Sequence, residues 1–302
     1  MKNKFLIIIA GPTAVGKTAL SIQLAKKLNC DIISADSRQI YKEMNIGTAK
    51  PAVDEMEGVT HHFINHISIK EHYTAGDFER EAINLLENYF TTNDYMIMCG
   101  GTGLYIDAVC NGMDNLLKVN ESIRKKIDLN HNHFGLQWLQ EQVKLLDPEY
   151  YSIVDRNNPA RLKRALEVIE STGIKFSQQR TATQKKRNFI PIKILLNEER
   201  TILYEKINKR VDIMISNGLV KEAKELYNHK SLNALNTVGY KELFLFFEGK
   251  ISLDEATEEI KKNSRRYAKR QLTWFNKTNE YQTYSVNETE KILEYICAKS
   301  IT

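Results

Sequence analysis

The sequence predicts an α/β fold in which helices flank a parallel β-sheet and an all-helical insertion lies between two of the strands. Four short apolar runs, FLIIIA, CDIISA, YMIMC and IPIKILL, have the length of buried strands and end at polar residues. Amphipathic segments such as residues 78–90 separate them, which favours βαβ units. Between Gly112 and about residue 190 the pattern is helical. We therefore predict a core domain of residues 1–112 and 191–302, and an insertion domain of residues 113–190.

The predicted helices follow apolar residues that recur at helical spacing. They cover residues 123–129, 136–146 and 160–169 in the insertion, and residues 202–217, 219–227 and 253–275 after the last strand. In a parallel sheet, ligands bind outside the carboxyl ends of the strands. Asp36 follows the second strand and Thr102 follows the third. We therefore expect both near the loop that leaves the first strand.

That loop carries a phosphate-binding pattern. GPTAVGKT fits G-x-x-x-x-G-K-[ST] between an apolar strand and an amphipathic helix, as a P-loop requires. Its backbone N–H groups and the helix N-terminus attract anions, Lys17 neutralises phosphate, and the Thr18 hydroxyl can ligate Mg²⁺. The motif leaves open whether the phosphate is transferred, hydrolysed or expelled. The predicted site, in a P-loop NTPase-like core, comprises Gly11, Pro12, Thr13, Ala14, Val15, Gly16, Lys17 and Thr18.

Composition limits the class of protein. The chain has 302 residues, 42% of them hydrophobic, so it can bury a substantial core in one large domain or two smaller ones. No apolar run approaches the ~20 residues of a membrane span, and the first apolar run is shorter than the ~7–15 residues of a signal peptide, so we expect a cytoplasmic protein. The four cysteines form no C-x-x-C pair, which favours free thiols.

Asp36 is the acid that chemistry at this site would use. An ordinary P-loop kinase or ATPase has a second acid at the end of a neighbouring strand, but YMIMC is followed by Gly-Gly-Thr. Asp36 could serve as that metal-associated carboxylate, or as a base that takes a proton from a nucleophile. The alternative is a surface carboxylate that caps the next helix.

Basic residues are concentrated in two helical segments. The net charge is only +5, but residues 261–270 (KKNSRRYAKR) contain six basic residues and no acid. Arg161 and Arg164 share a helix face at i, i+3. Both segments could meet a polyanion, or both could be exposed, salt-bridged faces. By itself, Arg210 is an ordinary surface arginine on an amphipathic helix.

Aromatic and histidine patterns favour structural roles. Tyr267 and Trp274 recur at helical spacing, with Gln271 between them, as core-packing residues do. The histidines of the H-H-x-x-x-H cluster lack a nearby acidic partner, and adjacent residues point apart on a strand or helix. We therefore favour a structural or loop role over a metal site for His61, His62 and His66.

The motifs GPTAVGKT, ISADSRQIYKEMNIGTAKP, GGTGLYI, NPARLKRALEV, TVGYKE and RRYAKRQLTWF, in this order and spacing, resemble the tRNA dimethylallyltransferase family, also called tRNA isopentenyltransferases. The resemblance covers nearly the whole chain. D-S-x-Q-I-Y and Y-A-K-R-Q-x-T-W are specific to the family, whereas the P-loop is not. The chain looks like the short bacterial form, without the C-terminal zinc finger of eukaryotic relatives. Asn65 departs from the family, whose members usually have an acid there.

The resemblance implies a reaction in which no phosphoryl group moves. The P-loop would hold dimethylallyl diphosphate with Mg²⁺, and the N6 amine of the adenosine 3′-adjacent to the tRNA anticodon would attack the allylic carbon. Asp36 would accept the N6 proton, Arg210 would hold the departing diphosphate, and Thr102 would complete the catalytic set. A carboxylate that removes a proton in this way accelerates a reaction by ~10²–10⁴-fold.

The same resemblance implies that part of the protein surface binds the anticodon stem-loop of tRNA. The adenine would leave its stack to reach Asp36, as enzymes that act on bases require. We expect a monomer. The implied tRNA contacts are Asp36, Ser37, Arg38, Gln39, Thr102, Arg124, Arg161, Arg164, Gly239, Tyr240, Lys269, Arg270, Gln271 and Trp274.

Three other functions are compatible with parts of the sequence. A P-loop kinase of a small metabolite or nucleoside would use Asp36 as its base, but the missing strand-end acid and the basic helices argue against it. An isopentenyltransferase acting on free adenine nucleotides would share the chemistry but would not need the basic insertion. A non-enzymatic RNA-binding NTPase switch would hydrolyse ATP or GTP, and a hydrolysis assay would reveal it.

Overall fold

The computed structural model describes residues 3–114, 119–180 and 185–301. Within them the strands are β1 Phe5–Ala10, β2 Ile32–Ser34, β3 His61–His62, β4 Tyr95–Gly100, β5 Ile190–Leu196 and β6 Gln282–Tyr284. They form one sheet in the order β3-β2-β4-β1-β5-β6, and every pairing is parallel. This confirms the predicted α/β class. The sequence did not indicate β3 and β6, because they are only two and three residues long and, unlike β2, they do not lie in an apolar run.

Each residue of β1 is buried because helices cover both faces of the sheet. Leu6 and Ile8 pack into one core with α2 (Ala75–Tyr89) and α3 (Gly103–Asn111). Phe5, Ile7 and Ile9 face the opposite core, which holds α1 (Lys17–Leu28). Because successive side chains of a strand point to opposite faces, β1 contributes side chains to two separate cores. Its sequence is therefore a continuous apolar run and not an alternating one.

The helices after β5 complete the first of two compact units, which comprises Met1–Asn111 and Lys186–Thr302. Among the described residues, no helix of either unit is both long and apolar enough to cross a membrane. The helices of this part are α8 Arg200–Ser216, α9 Leu219–Glu225, α10 Tyr240–Phe247, α11 Leu253–Phe275 and α12 Thr289–Ile301, with short 3₁₀ turns at Ile46–Thr48, Tyr227–His229 and Asn233–Leu235.

The second unit, Gly112–Lys185, is helical and has its own small core. The two predicted helices at residues 123–129 and 136–146 lie in α4, where Gly135 has a non-helical backbone with a φ of 76° and separates two helical segments. The helices of the second unit are α4 Glu121–Leu146, α5 Pro148–Ile153, α6 Pro159–Thr172 and α7 Phe176–Gln179.

The segment that leads into β5 packs with the first unit. Phe189 is buried in the core of that unit, and Arg187 Nη2 donates to Glu79 Oε1 at 2.7 Å and to the Ala108 carbonyl at 2.9 Å. These contacts put the division of the chain at Lys185, whereas the sequence pattern put the start of the core at residue 191.

Candidate active site

The loop between β1 and α1 has the backbone of a P-loop. Gly16 has a φ of 103°, which an L side chain rarely adopts, and a Cβ there would lie 2.9 Å from Val286 Cγ2. Ala14 has a φ of 66°. Helix α1 begins at Lys17 and has no acidic residue in its first turn, so the positive end of its dipole is not neutralised within the helix. The loop can therefore accept an anion at the start of α1.

Lys17 reaches back across this loop. Its Nζ donates to the Pro12 carbonyl at 2.6 Å. Burial lowers the pKa of Lys17 to about 8, with the nearby Arg210 acting in the same direction and Cys99 and Asp36 opposing it. A bound anion would favour the charged amine, so the site is suited to receive one.

Arg210 joins the P-loop from α8. Its Nη2 donates to the Thr13 hydroxyl. Burial lowers the pKa of Arg210, while Asp36 and Tyr267 act in the opposite direction. An arginine keeps its charge in spite of such a shift, because its pKa lies far above neutral pH. A second, half-buried cation therefore lies beside the phosphate-binding loop, as the family resemblance implied and as the helix pattern alone did not indicate.

Asp36 follows β2 and begins a tight turn. Its Oδ1 accepts the backbone N–H groups of Arg38 at 2.8 Å and Gln39 at 3.2 Å. Among the residues that the structure describes, no hydrogen bond engages its Oδ2. The turn explains why an Asp suits this position, and it fixes the carboxylate while one oxygen stays available for another partner.

Thr102 follows β4 and joins the Asp36 turn. Its Oγ1 accepts the Ser37 backbone N–H at 3.0 Å, and its own N–H donates to the Ala35 carbonyl at 3.1 Å. A Cβ at Gly100 would lie 2.1 Å from the Ala35 oxygen. The Gly-Gly-Thr sequence therefore allows the ends of β2 and β4 to approach closely enough for Thr102 to hold Ser37.

Residues of α11 contact the P-loop and the loop that follows β4. Gln271, only 5% exposed, accepts the Thr13 N–H at 2.8 Å and donates to the Gly101 carbonyl at 3.1 Å. Trp274 Nε1 donates to Asp107 Oδ2 at 3.0 Å. A tRNA contact by these two side chains stays a prediction, and the bonds they make are to the protein itself.

Tyr267, which the sequence suggested as a core residue, belongs to the site. Its side chain lines the cavity described below, and burial raises its pKa to about 12, with Asp36 acting in the same direction and Arg38, Thr102 and Arg270 opposing it. Tyr267 stands four residues before Gln271 and therefore shares its helix face. That spacing was the available signal, because one face of α11 carries both residues to the P-loop end of the sheet.

Some of these groups line a cavity of about 810 Å³ in the first unit. Thr13, Asp36, Arg38 and Arg210 provide polar and charged walls. The apolar wall comes from α8 and the helices after it, namely Ile207, Val211, Met214, Leu219, Val238, Leu245, Ile251 and Ile260. The cavity can thus hold a ligand with an anionic end and a hydrocarbon end, next to a carboxylate.

Two residues of the D-S-R-Q turn use their side chains within the protein. Arg38 Nη1 donates to the carbonyls of Asn233 and Ala234, both at 3.0 Å. Gln39 Nε2 donates to the carbonyls of Thr48 at 3.2 Å and Ala49 at 3.1 Å. Their predicted tRNA contacts stay predictions, and the observed bonds join the Asp36 turn to the 3₁₀ turn at Asn233–Leu235 and to the end of the one at Ile46–Thr48.

The VGYKE turn is also anchored inside the first unit. Gly239 N–H donates to Glu242 Oε2 at 2.9 Å, and the fully buried Tyr240 donates its hydroxyl to Glu222 Oε1 at 2.7 Å. The Glu222 carboxylate also accepts the backbone N–H groups of residues 45–47. Tyr240 thus supports a loop that lines the cavity, while the tRNA contact predicted for it stays untested.

In the second unit, Arg124 and Arg164 share one carboxylate. Arg124 Nε lies 3.6 Å from Glu167 Oε1, and Arg164 Nη1 lies 3.5 Å from Glu167 Oε2. Arg161 is exposed, and its backbone N–H is capped by Asn158. The predicted basic face exists on α6, and a salt bridge occupies part of it.

In the basic segment of α11, the first two lysines form salt bridges, whereas the last two basic side chains are exposed to solvent. Lys261 pairs with Asp212 at 2.8 Å, and Lys262 pairs with Glu259 at 2.6 Å. Lys269 and Arg270 are exposed, and the Arg270 guanidinium lies 5.7 Å from the Tyr267 ring centre. The free charge is therefore at the end of α11 that is nearest the cavity, which Arg270 lines.

The histidine cluster binds to separate partners. His61 Nδ1 lies 2.9 Å from the Val59 carbonyl, His62 Nε2 lies 2.8 Å from Asp31, and His66 Nε2 lies 2.7 Å from Glu81. Within the described residues, no three His, Cys, Asp or Glu side chains are arranged to hold a metal ion. Asn65, the departure from the family pattern, accepts Lys50 Nζ at 2.6 Å.

Comparisons with known proteins identify the family of the chain. A family model described as IPP transferase matches residues 39–278. The tRNA dimethylallyltransferases of Christiangramia forsetii and Flavobacterium psychrophilum are 52% and 50% identical to the chain; the first alignment covers 98% of this chain and 99% of that relative, and the second covers 98% of each.

Two solved structures are also similar. The tRNA isopentenylpyrophosphate transferase of Bacillus halodurans has a TM-score of 0.73 at 37% identity, covering 99% of this chain and 97% of that one. A eukaryotic dimethylallyltransferase described as acting on tRNA has a TM-score of 0.77 at 28% identity, covering 99% of this chain and 78% of that one.

Proposed function

The chain belongs to the IPP transferase family, and we propose that it transfers a dimethylallyl group from dimethylallyl diphosphate to N6 of the adenosine 3′-adjacent to the tRNA anticodon, releasing diphosphate. The observation that carries this proposal is the cavity in which the P-loop residue Thr13, the cation Arg210 and the carboxylate Asp36 stand beside an apolar wall. Phosphoryl transfer by itself does not require that wall, whereas a prenyl diphosphate matches both the charged and the apolar end of the cavity.

The donor diphosphate would lie on the P-loop. Lys17 and Arg210 supply two half-buried positive charges, and the amides at the start of α1 supply donors. As the C–O bond breaks, negative charge grows on the departing diphosphate, and fixed cations stabilise that charge more than they stabilise the ground state. The same groups thus bind the donor and promote its departure.

Thr18 would be the protein ligand of Mg²⁺. Mg²⁺ keeps several waters and often takes only one or two protein ligands beside substrate phosphates. The chemistry of this site fits that pattern, since Thr18 offers a hydroxyl in the first turn of α1 and no three-residue metal cluster exists among the described residues. When bound, the ion would neutralise charge on the diphosphate.

Asp36 would act on the acceptor. The N6 nitrogen forms a bond to the allylic carbon as the carbon–oxygen bond to diphosphate breaks, and an N6 proton passes to Asp36 Oδ2. Because Oδ1 is held by two backbone N–H groups, the carboxylate has a fixed orientation with its second oxygen available. Thr102 and Tyr267 form the polar wall beside it.

The tRNA would be bound through its backbone by exposed basic side chains. Arg161 on α6 and Lys269 and Arg270 on α11 are exposed, while Arg124 and Arg164 could exchange Glu167 for a phosphate. That the protein acts as a monomer stays a prediction. A tRNA substrate implies that the protein acts in the cytoplasm.

The test is incubation of the purified protein with an unmodified tRNA transcript, dimethylallyl diphosphate and Mg²⁺, followed by nucleoside mass spectrometry. We expect a dimethylallyl-sized mass gain on the one adenosine next to the anticodon, and no gain when guanosine replaces it. Parallel reactions with adenosine monophosphate as acceptor, or with ATP as donor, cover the free-nucleotide transferase and the kinase. Phosphoryl transfer from ATP without prenylation would overturn the proposal.

A further inference from the structure

We propose that Gln271 is a positioning residue that sets the P-loop and the Gly-Gly-Thr loop in register, so that the donor half and the acceptor half of the site face each other correctly. The inference rests on the proposed function for its activity readouts. It also has a readout that does not depend on any reaction.

The geometry of Gln271 is that of a bridge between two loops far away in sequence. Its Oε1 accepts the N–H of Thr13, 258 residues away, and its Nε2 donates to the carbonyl of Gly101, 170 residues away. Both bonds are shielded, because the side chain is 5% exposed. Buried hydrogen bonds of this kind are costly to leave unmade, so they fix the distance between the two loops.

Each loop carries one half of the chemistry. The Thr13 hydroxyl accepts a hydrogen bond from the guanidinium of Arg210. The P-loop end of the bridge is therefore attached to the cation that is proposed to bind the diphosphate. Gly101 precedes Thr102, which holds the N–H of Ser37 next to Asp36. A shift of Gln271 would therefore move the donor cation relative to the acceptor base.

Only a side chain with an acceptor on one side and a donor on the other satisfies both loops. A Cβ at Gly101 would lie 2.0 Å from Gln271 Nε2, so the amide sits directly against the glycine backbone. A carboxylate of the same size could still accept the Thr13 N–H, but its second oxygen would face the Gly101 carbonyl oxygen. Protonation of that carboxyl would restore the donor.

This asymmetry gives a sharp test with two variants. Gln271→Met keeps the volume and removes both bonds, so kcat should fall by about 10- to 100-fold, because a misplacement of ~1 Å can cost about that much. The KM values for donor and tRNA should change by only a few-fold. Gln23→Met on α1, where Gln23 is exposed, is the matched control and should behave as the parent.

Gln271→Glu should make activity depend on pH in a way the parent does not show. The ratio of variant to parent kcat should rise as the pH falls from about 9 to 6, because the introduced buried carboxyl gains its proton and the bond to Gly101 returns. The titratable and charged groups around the bridge include Lys17 after the P-loop, Arg210 on Thr13, Asp36 after β2, Cys99 on β4, Asp107 and Cys110 on α3, and Tyr267, Lys269 and Arg270 on α11. They are common to both proteins, and the ratio removes their contribution.

Hydrogen exchange tests the bridge without any substrate. In Gln271→Met, amide exchange should accelerate in residues 11–18 and 99–104 together, and in Gln23→Met it should not. If the parent makes no prenylated adenosine, the proposed function fails while the exchange result still decides whether the bridge exists. Parent-like kcat in Gln271→Met, a flat pH ratio in Gln271→Glu, or unchanged exchange in both loops would each overturn the positioning role.

Discussion

The two units of the molecule hold their cations in different ways. Lys17 and Arg210 in the first unit are half-buried, and desolvation lowers the pKa of each. Within the described residues neither forms a salt bridge with a carboxylate; their hydrogen bonds go to the Pro12 carbonyl and the Thr13 hydroxyl. Arg124 and Arg164 in the second unit lie partly in solvent and share Glu167.

This difference shows what each set can do. A buried charge without its counterion is unfavourable, and an anionic ligand at that position removes the penalty. A partly exposed ion pair contributes little to stability, about 0–1 kcal/mol, so it can exchange its partner for a phosphate at little cost. We therefore assign chemistry and donor binding to the first set, and tRNA affinity to the second.

The largest effect should come from the acid that completes the buried site. Asp36→Asn keeps the size of the side chain and an oxygen for the turn but removes the base, so kcat should fall by about 10²–10⁴-fold. The affinity for tRNA, measured by filter binding, should stay within a few-fold of the parent. Near-normal turnover in this variant would remove Asp36 from the mechanism and leave the buried cations as the sole catalytic groups.

The buried cations should come next. Lys17→Ala and Arg210→Ala each remove a charge-assisted contact worth about 1.5–3 kcal/mol, so each should weaken binding of dimethylallyl diphosphate by roughly ten- to a hundred-fold. Isothermal titration calorimetry with the donor measures this directly. Lys206→Ala, at an exposed salt bridge on the same helix as Arg210, is the control. Equal losses of donor affinity in Lys206→Ala and Arg210→Ala would show that burial of the cation is irrelevant to donor binding.

Cations that are more open to solvent, on α6 of the second unit and also at Lys269 and Arg270 of the first, should have a smaller and different effect. Arg161→Ala with Arg164→Ala, or Lys269→Ala with Arg270→Ala, should raise the KM for tRNA several-fold and reduce the slope of log affinity against log salt by roughly 1.4 to 1.8, since two phosphate contacts are lost. Donor affinity should not change. Variants that bind tRNA as the parent does over a salt titration, yet turn bound tRNA over slowly, would contradict the division of roles between the two sets.

Local patterns were sufficient for the parts of the fold that depend on neighbouring residues. The GPTAVGKT motif and the apolar run before it predicted strand, loop and helix, because the strand–turn–helix geometry is encoded within a dozen residues. The bridge from Gln271 to Thr13 was not predictable in that way, since the two residues are 258 positions apart and meet only once the sheet is formed. The same holds for Tyr267, whose spacing fits a core residue equally well.

The smallest effect should be a pH dependence that belongs to Lys17 alone. Its lowered pKa of about 8 means that the amine is charged below that pH and loses its proton above it, so donor binding should weaken as the pH rises. Between pH 7 and pH 8 the charged fraction falls from about 0.9 to about 0.5, which predicts an affinity loss of about twofold and uptake of about half a proton on binding at pH 8. Calorimetry in buffers with different ionisation enthalpies measures that uptake. Lys17→Arg, which keeps the charge without titrating in this range, should abolish both effects, and a persistent pH dependence in that variant would assign the proton to another group.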